Sequence, residues 1–286
     1  MAVKKVGAKK NFEETVAQVE AEDMEKINLD TPMTDEDGIV HDVPLLCGYR
    51  DPETGELHTT FSYREMDGRD EEAISKGDVR SNGAKLTNVL CERCVVQIGS
   101  LTKKECGPKK WGHIIRSMLS GDLDYMMLKI REISKGKTIT FTHKCRNCNT
   151  KLKTEIGTDE LGIIPFGGLE EIPFTLPGRG YKDNNGKYHK EGVLRLMNGY
   201  DREVITPLLM KNKAQATTSL IVRTVTFNDD TPVFQDNVKA MSLKDREYLE
   251  NLSSESVFGV TMELTDIICP TCGYDMSEDG AQSDFL

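Results

Sequence analysis

The sequence predicts an α+β protein: a tandem pair of related small α+β modules, each ending in a zinc-ribbon-like Cys-x-x-Cys turn. Three observations predict it. The chain repeats itself in four segments of fixed order, and strand-like and helix-like patterns alternate within each repeat. Six of the eight cysteines fall in Cys-x-x-Cys pairs.

The repetition is legible residue by residue. Residues 48–74 (GYRDPETGELHTTFSYREMDGRDEEAI) align with 180–205 (GYKDNNGKYHKEGVLRLMNGYDREVI) once one turn residue is skipped. Gly48, Tyr49, Asp51, Gly55 and His58 match Gly180, Tyr181, Asp183, Gly186 and His189. Arg64, Met66, Gly68, Asp70, Glu72 and Ile74 match Arg195, Met197, Gly199, Asp201, Glu203 and Ile205. The order then resumes: Asp122 and Tyr125 with Asp245 and Tyr248, Gly136 with Gly259, and Cys145/Cys148 with Cys269/Cys272. Similar turns arising from composition would not repeat in sequence order. The expected organisation is an N-terminal mobile arm over 1–41, a first module with its knuckle over 42–160, and a Gly/Pro-rich connector over 161–173. A second module with its knuckle follows over 174–280, then a tail over 281–286.

Within each module an entry strand leads into a polar turn, Asp51–Gly55 or Asp183–Gly186, whose Asx-Gly chemistry suits a hairpin. The return strand carries Phe61 and Tyr63, or Val193 and Leu194. Asp67 or Asn198 then caps a helix that opens at the following glycine, with acidic residues in its first turn. Leu86, Leu90 and Cys94 recur at i+4, broadened by Val89 and Val96, and predict a helix over 84–98. Its counterpart, Ala214–Val225, is β-branched and a weaker helix former. A further helix covers 122–134 and stops at Gly136; its counterpart starts after the cap Ser242. Lys137–His143 and Thr261–Ile267 alternate as strands and lead into the knuckles.

Composition narrows the function classes. The 286 residues carry 47 acidic and 37 basic side chains, a net charge of −10, which argues against a surface made for nucleic acid. No apolar run approaches the roughly 20 residues that cross a bilayer. The first residues, MAVKKVGAKKNFEE, lack the apolar stretch of an export signal, so a cytosolic chain with reduced thiols is expected. Phe12, Val16, Val19 and Ile27 line one side of a segment read as an arm that orders on a partner.

In a reducing compartment a Cys-x-x-Cys turn is half of a tetrahedral sulfur site, and zinc is the default metal. Asn149 or Gly273 after each pair tolerates the left-handed backbone such a turn needs. Three arrangements stay open. Cys145, Cys148, Cys269 and Cys272 share one structural zinc across a local two-fold, Cys91 and Cys94 complete the first knuckle, or no stable metal is held. Cys94 also reads as a buried small apolar residue, and Cys47 and Cys106 have no partner in sequence. Neither pair is followed by the helical pattern a redox site requires.

Catalytic and cofactor-binding residues are expected to be none. Histidines 41, 58, 113, 143 and 189 form no His-Glu-x-x-His motif, and no phosphate-binding glycine loop occurs. His58 and His189 suit structural hydrogen bonds, and His143, two residues before Cys145, is a remote candidate for backing a metal site. Asp70/Glu72 and Asp201/Glu203, near Arg64 and Arg195, suit caps and ion pairs that set an assembly contact. Lys103, Lys104, Lys109 and Lys110 beside Trp111 are the basic cluster behind an alternative reading, a zinc-ribbon adaptor binding nucleic acid or a polymerase. Trp111 itself reads as a core or interface anchor.

The pattern resembles the small baseplate hub or hub-assembly proteins of contractile-tailed, T-even-like bacteriophages, here as an internal duplication. The residues carrying the resemblance are Arg64, Met66, Gly68, Asp70 and Glu72, then Leu90, Arg93, Cys94 and Val95, Ser134 and Gly136, and Cys145/Cys148. In the second copy they are Arg195, Met197, Gly199, Asp201 and Glu203, then Leu243, Asp245, Arg246, Tyr248 and Leu249. Gly259 and Cys269, Pro270, Cys272 and Gly273 complete that set. The duplication departs from the family pattern, as does Cys145-Arg-Asn-Cys148-Asn in place of the knuckle's Pro and Gly. The resemblance implies a non-enzymatic structural or assembly component of the viral tail baseplate. Its implied partners are other phage tail and baseplate proteins in a hetero-oligomeric assembly, not membrane or nucleic acid. Its implied location is the virion, after assembly in the host cytoplasm.

Overall fold

The structure is a computed structural model, and it describes residues 34–261, 267–276 and 282–283. The predicted arm lies mostly outside these, with its helix stripe at Phe12 to Ile27. The described chain is mixed α+β, with small antiparallel sheets and nine α-helices among the described residues.

Strand β1 (Ile39–Arg50) turns through Asp51–Gly55 into β2 (Leu57–Arg64), and Tyr49 pairs with His58. Helices α1 (Gly68–Ile74), α2 (Gly77–Arg80) and α3 (Gly83–Cys94) follow. The chain then extends as β3 (Val95–Ile98) and β4 (Leu101–Thr102), completing the sheet β1-β2-β3-β4. The helix expected over 84–98 thus stops at Cys94. Val95 is β-branched and gains more from pairing with Tyr63 of β2 than from another turn, while Val96 falls at the bulge between them.

Helix α4 (Lys103–Ser117) has no counterpart in the sequence reading. It breaks at Gly107, whose φ is 70°, and Pro108 opens its second segment, which buries Trp111, Ile114 and Ile115. Helix α5 (Ser120–Lys135) ends at Gly136, and the hairpin β5 (Thr138–Lys144) and β6 (Lys151–Gly157) carries the first knuckle between its strands. The first core packs Phe61, Tyr63, Leu90, Trp111, Ile115 and Leu123 together.

The stretch read as a connector supplies β7 (Gly162–Ile164) and the start of β8 (Glu171–Thr175), with Ile163 and Ile164 exposed. Strands β9 (Tyr181–Lys182) and β10 (Tyr188–His189) form a hairpin in which Tyr181 pairs with His189, the register of Tyr49 with His58. Strand β11 (Glu191–Arg195) pairs with β8 and later with β12 (Val225–Phe227). Helix α6 (Gly199–Lys211) starts at Asn198, and α7 (Lys213–Thr224) at Asn212. Helices α8 (Gln235–Lys239) and α9 (Leu243–Glu255) precede β13 (Gly259–Thr261), which pairs with β7. The expected strand Thr261–Ile267 falls largely outside the described residues. Gln282–Ser283, in the predicted tail, form β14 against β5. A second core collects Phe174, Tyr181, Leu194, Ile221, Phe227 and Leu249.

Close approach explains why glycine stands before each paired tyrosine. Gly48 and Gly180 have φ of 100° and 90°, and a Cβ there would lie 2.8 and 2.4 Å from the carbonyl oxygens of His58 and His189. Asp67 and Asn198 both build capping boxes, with Asp70 and Asp201 at the third helical position.

Candidate metal centre

Each knuckle is a tight turn closed by its own backbone. The Cys145 amide donates to the Thr150 carbonyl at 2.9 Å and the Asn149 amide to the Cys145 carbonyl at 2.9 Å. In the second, the Cys269 amide donates to Tyr274 at 2.8 Å and the Gly273 amide to Cys269 at 2.9 Å. Asn149 and Gly273 have φ of 60° and 71°, as such turns require. The amides of Asn147 and Cys148 point at the Cys145 sulfur, and those of Thr271 and Cys272 at the Cys269 sulfur.

The turns face each other and bring the four sulfurs within 4.8 Å of one another. Cys145 Sγ lies 3.7 Å from Cys272 Sγ, and Cys148 Sγ lies 3.5 Å from Cys269 Sγ. Four thiolates at a zinc–sulfur distance of about 2.3 Å sit roughly 3.8 Å apart at the corners of a tetrahedron. A disulfide needs about 2.05 Å. The spacing therefore fits a tetrahedral metal and not a bond between sulfurs. Ile267, Met276 and Leu152 pack around the cluster, and Thr150 Oγ1 meets Thr271 Oγ1 across it at 3.1 Å. The Thr150 hydroxyl, 3.1 Å from Cys148 Sγ, and the Thr150 amide bring that thiol down to about 6, whereas burial pushes Cys145 up to about 11. Burial opposes ionisation at Cys269, yet the Thr271 and Cys272 amides leave it below its ordinary value.

Cys91 and Cys94 do not complete this site. Both are fully buried in the first core, Cys91 Sγ 3.7 Å from the Leu123 carbonyl and Cys94 Sγ 3.7 Å from Asp70. Burial pushes Cys94 and Cys47 up to about 12, which suits inert thiols. His143 is buried on β5 but does not belong to the four-sulfur group. His189 lies 3.2 Å from Asp183 and 2.9 Å from Asp229, and His58 lies 3.5 Å from the Ser100 amide, so both are held structurally. Two clefts of about 460 and 540 Å³ contain neither histidine.

The repeated carboxylates organise backbone and arginines. Asp70 receives Arg64 at 2.7 Å and Arg93 at 2.6 Å; Asp201 receives Arg195 at 2.5 Å and Arg223 at 3.0 Å. The second arginine of each clamp stands in a repeated Arg-x-Val, Arg93–Val95 and Arg223–Val225, of which the sequence reading singled out the first and missed the repeat. Asp122, fully buried, accepts the amides of Leu46, Cys47 and Gly48 at 2.7, 3.2 and 3.0 Å. Asp245 accepts those of Gly178 and Gly180 at 2.6 and 3.0 Å. The basic cluster is partly spent within the fold: Lys103 Nζ donates to the Arg93 carbonyl and Lys110 pairs with Glu53, each at 2.8 Å.

Away from the knuckles, contact between the halves is one-sided among the described residues. The start of α6 docks on α3, α4 and the N-terminus of α5, whereas α1 makes no comparable contact with α7 among the described residues. The Gly199 amide donates to the Met118 carbonyl at 3.2 Å and the Ser120 amide to the Met197 carbonyl at 2.9 Å. Asn82 Nδ2 donates to the Glu203 carbonyl at 2.8 Å, and Asn88 Nδ2 reaches the Gly199 carbonyl at 3.0 Å and Glu203 Oε1 at 2.8 Å. Arg116 pairs with Glu203 at 3.1 Å.

Residues 70–185 match the family model described as T4 bacteriophage base plate protein. The match supports a phage baseplate-related protein. It runs from α1 through the first knuckle and into the second half, covering less than half of the chain. No curated protein and no solved structure matches the chain. No helix among the described residues is long and apolar enough to cross a membrane.

Proposed function

We propose that this chain is a non-enzymatic structural or assembly component of a contractile-tail baseplate. In this reading it is built from two copies of one module, 42–160 and 174–280, and joins neighbouring tail proteins through the two related surfaces. One structural zinc, held by Cys145, Cys148, Cys269 and Cys272, locks the modules together. It resides in the virion tail after assembly in the host cytoplasm. The baseplate match at 70–185 carries the reading. Support for duplication comes from the paired hairpin registers, the paired Asp–Arg clamps and the paired knuckle turns. Support for the metal comes from the four sulfurs at tetrahedral spacing.

Tagged protein expressed during infection should co-purify with tail and baseplate proteins; purification without any of them refutes the assembly role. Metal analysis should find about one zinc per chain, lost equally from Cys145→Ser/Cys148→Ser and Cys269→Ser/Cys272→Ser. Retention of zinc by either double variant refutes a shared ion.

A further inference from the structure

Among the described residues, the one-sided contact leaves its counterpart vacant in each half. Within the chain, the edge Met197–Glu203 fills a seat made by Asn82, Asn88, Arg116, Met118 and Ser120. The repeat-equivalent seat in the second half is Asn212, Thr218, Lys239, Met241 and Leu243. All five line the open cleft of about 540 Å³. The repeat-equivalent edge in the first half is Met66–Glu72, where Gly68 and Glu72 are exposed.

The polar groups needed for the contact are present and unused. In the occupied seat, the first-turn amides of α5 and α6 each donate to a carbonyl across the contact. Their equivalents, the amides of Leu243 and Gly68, make no hydrogen bond among the described residues, and neither do the carbonyls of Met66 and Met241. Asn212 Oδ1 caps α7 as Asn82 Oδ1 caps α3, yet Asn212 Nδ2 makes no bond among the described residues, where Asn82 Nδ2 holds the Glu203 carbonyl. Leu243 is 75% exposed at the cleft rim. Lys239, paired with Asp236 at 2.9 Å on its own helix, stands where Arg116 meets Glu203, and so opposes Glu72 in sign.

We infer that a second copy of this chain docks its Met66–Glu72 edge into the Asn212–Leu243 cleft, repeating between chains the contact made within each. The inference rests on the duplication proposed above. Such a contact is heterologous: each chain keeps one free edge and one free cleft, so growth continues into a ring or a filament.

Gly68 supplies the test. A Cβ at Gly199 would lie 2.6 Å from Asn88 Oδ1, whereas Gly68 has nothing within 4 Å. Gly68→Leu therefore blocks the edge without disturbing the fold. Leu243→Asp blocks the cleft and adds an acidic residue in a helix first turn, where it is tolerated. Sedimentation velocity of the full chain with its metal should show concentration-dependent growth for wild type and monomers for each variant alone. Mixing the two variants should give a one-to-one dimer that grows no further, because one intact cleft meets one intact edge. A wild type monomeric at concentrations on the order of 100 µM overturns the inference. So does association that survives both variants, or a mixture that stays monomeric. Monomers with a full metal complement leave the proposed function standing; wild type lacking the metal fails that reading instead.

Discussion

Removing the Asp122 carboxylate tests how the first core is tied to its entry strand. Strand β1 departs from β2 between Pro44 and Tyr49, so the amides of Leu46, Cys47 and Gly48 turn to Asp122 instead of the sheet. Burial pushes the carboxyl up, and these three amides pull it down. Asp122→Ala leaves all three without an acceptor. An unsatisfied buried donor costs about 1–3 kcal/mol, so the half-buried set amounts to about 3–6 kcal/mol. That is a large share of the about 5–15 kcal/mol that holds an ordinary domain. Asp245→Ala strips two amides, and should cost about 2–4 kcal/mol. Trp111 is the single tryptophan of the chain and fully buried in the first core, so its fluorescence in a urea titration reads Asp122→Ala directly. Circular dichroism reads Asp245→Ala. A loss below about 1 kcal/mol for Asp122→Ala, at unchanged urea dependence, refutes the account.

Asp70 is held below the usual carboxylate range because Arg64, the Asp67 amide and Arg93 outweigh its burial. Its stabilisation is full above the unfolded carboxyl value near 3.9 and is lost as pH falls below it, so Asp70→Asn should lower stability at neutral pH and flatten the acid limb of a stability–pH curve. Gly121→Ala places a Cβ 2.5 Å from the Phe258 carbonyl and should cost about 1–3 kcal/mol in the same urea titration. Cys94→Ala should leave the metal content of the purified protein unchanged, since its sulfur lies in the first core; zinc loss there would reopen its role as a ligand.

The knuckles and caps were legible because their chemistry is local: Asn149, Gly273, Asp67 and Asn198 each do their work within a few residues. Helix α7 forms despite its β-branched run because Asn212 caps it and Ala216, Leu220 and Ile221 bury its apolar face, while the hydroxyls of Thr217, Thr218 and Thr224 are satisfied on carbonyls four residues earlier. Helix α4 was hidden by its own punctuation. Gly107 and Pro108 split the pattern, although Trp111, Ile114 and Ile115 carried the helical spacing on the far side. The choice among partners for Cys145 and Cys148 was not legible. It depends on how the halves pack, and a repeat in sequence fixes each unit without fixing the angle between them. The same gap hides from the sequence that α6 docks on one side only.

The two pairs of sulfurs stand 121 residues apart along the chain at Cys148 and Cys269. A ribosome therefore delivers the first knuckle long before its complement exists, and for that interval Cys145 and Cys148 are a bare, reactive pair. Only when the stretch around Cys272 has emerged can the cluster close. The arrangement thus separates the longer chain from prematurely terminated ones at the level of thiol reactivity: a truncated product keeps two sulfurs open to alkylation or oxidation, whereas with the second knuckle in place Cys145 is buried and Cys148 half-buried against Cys272 and Cys269.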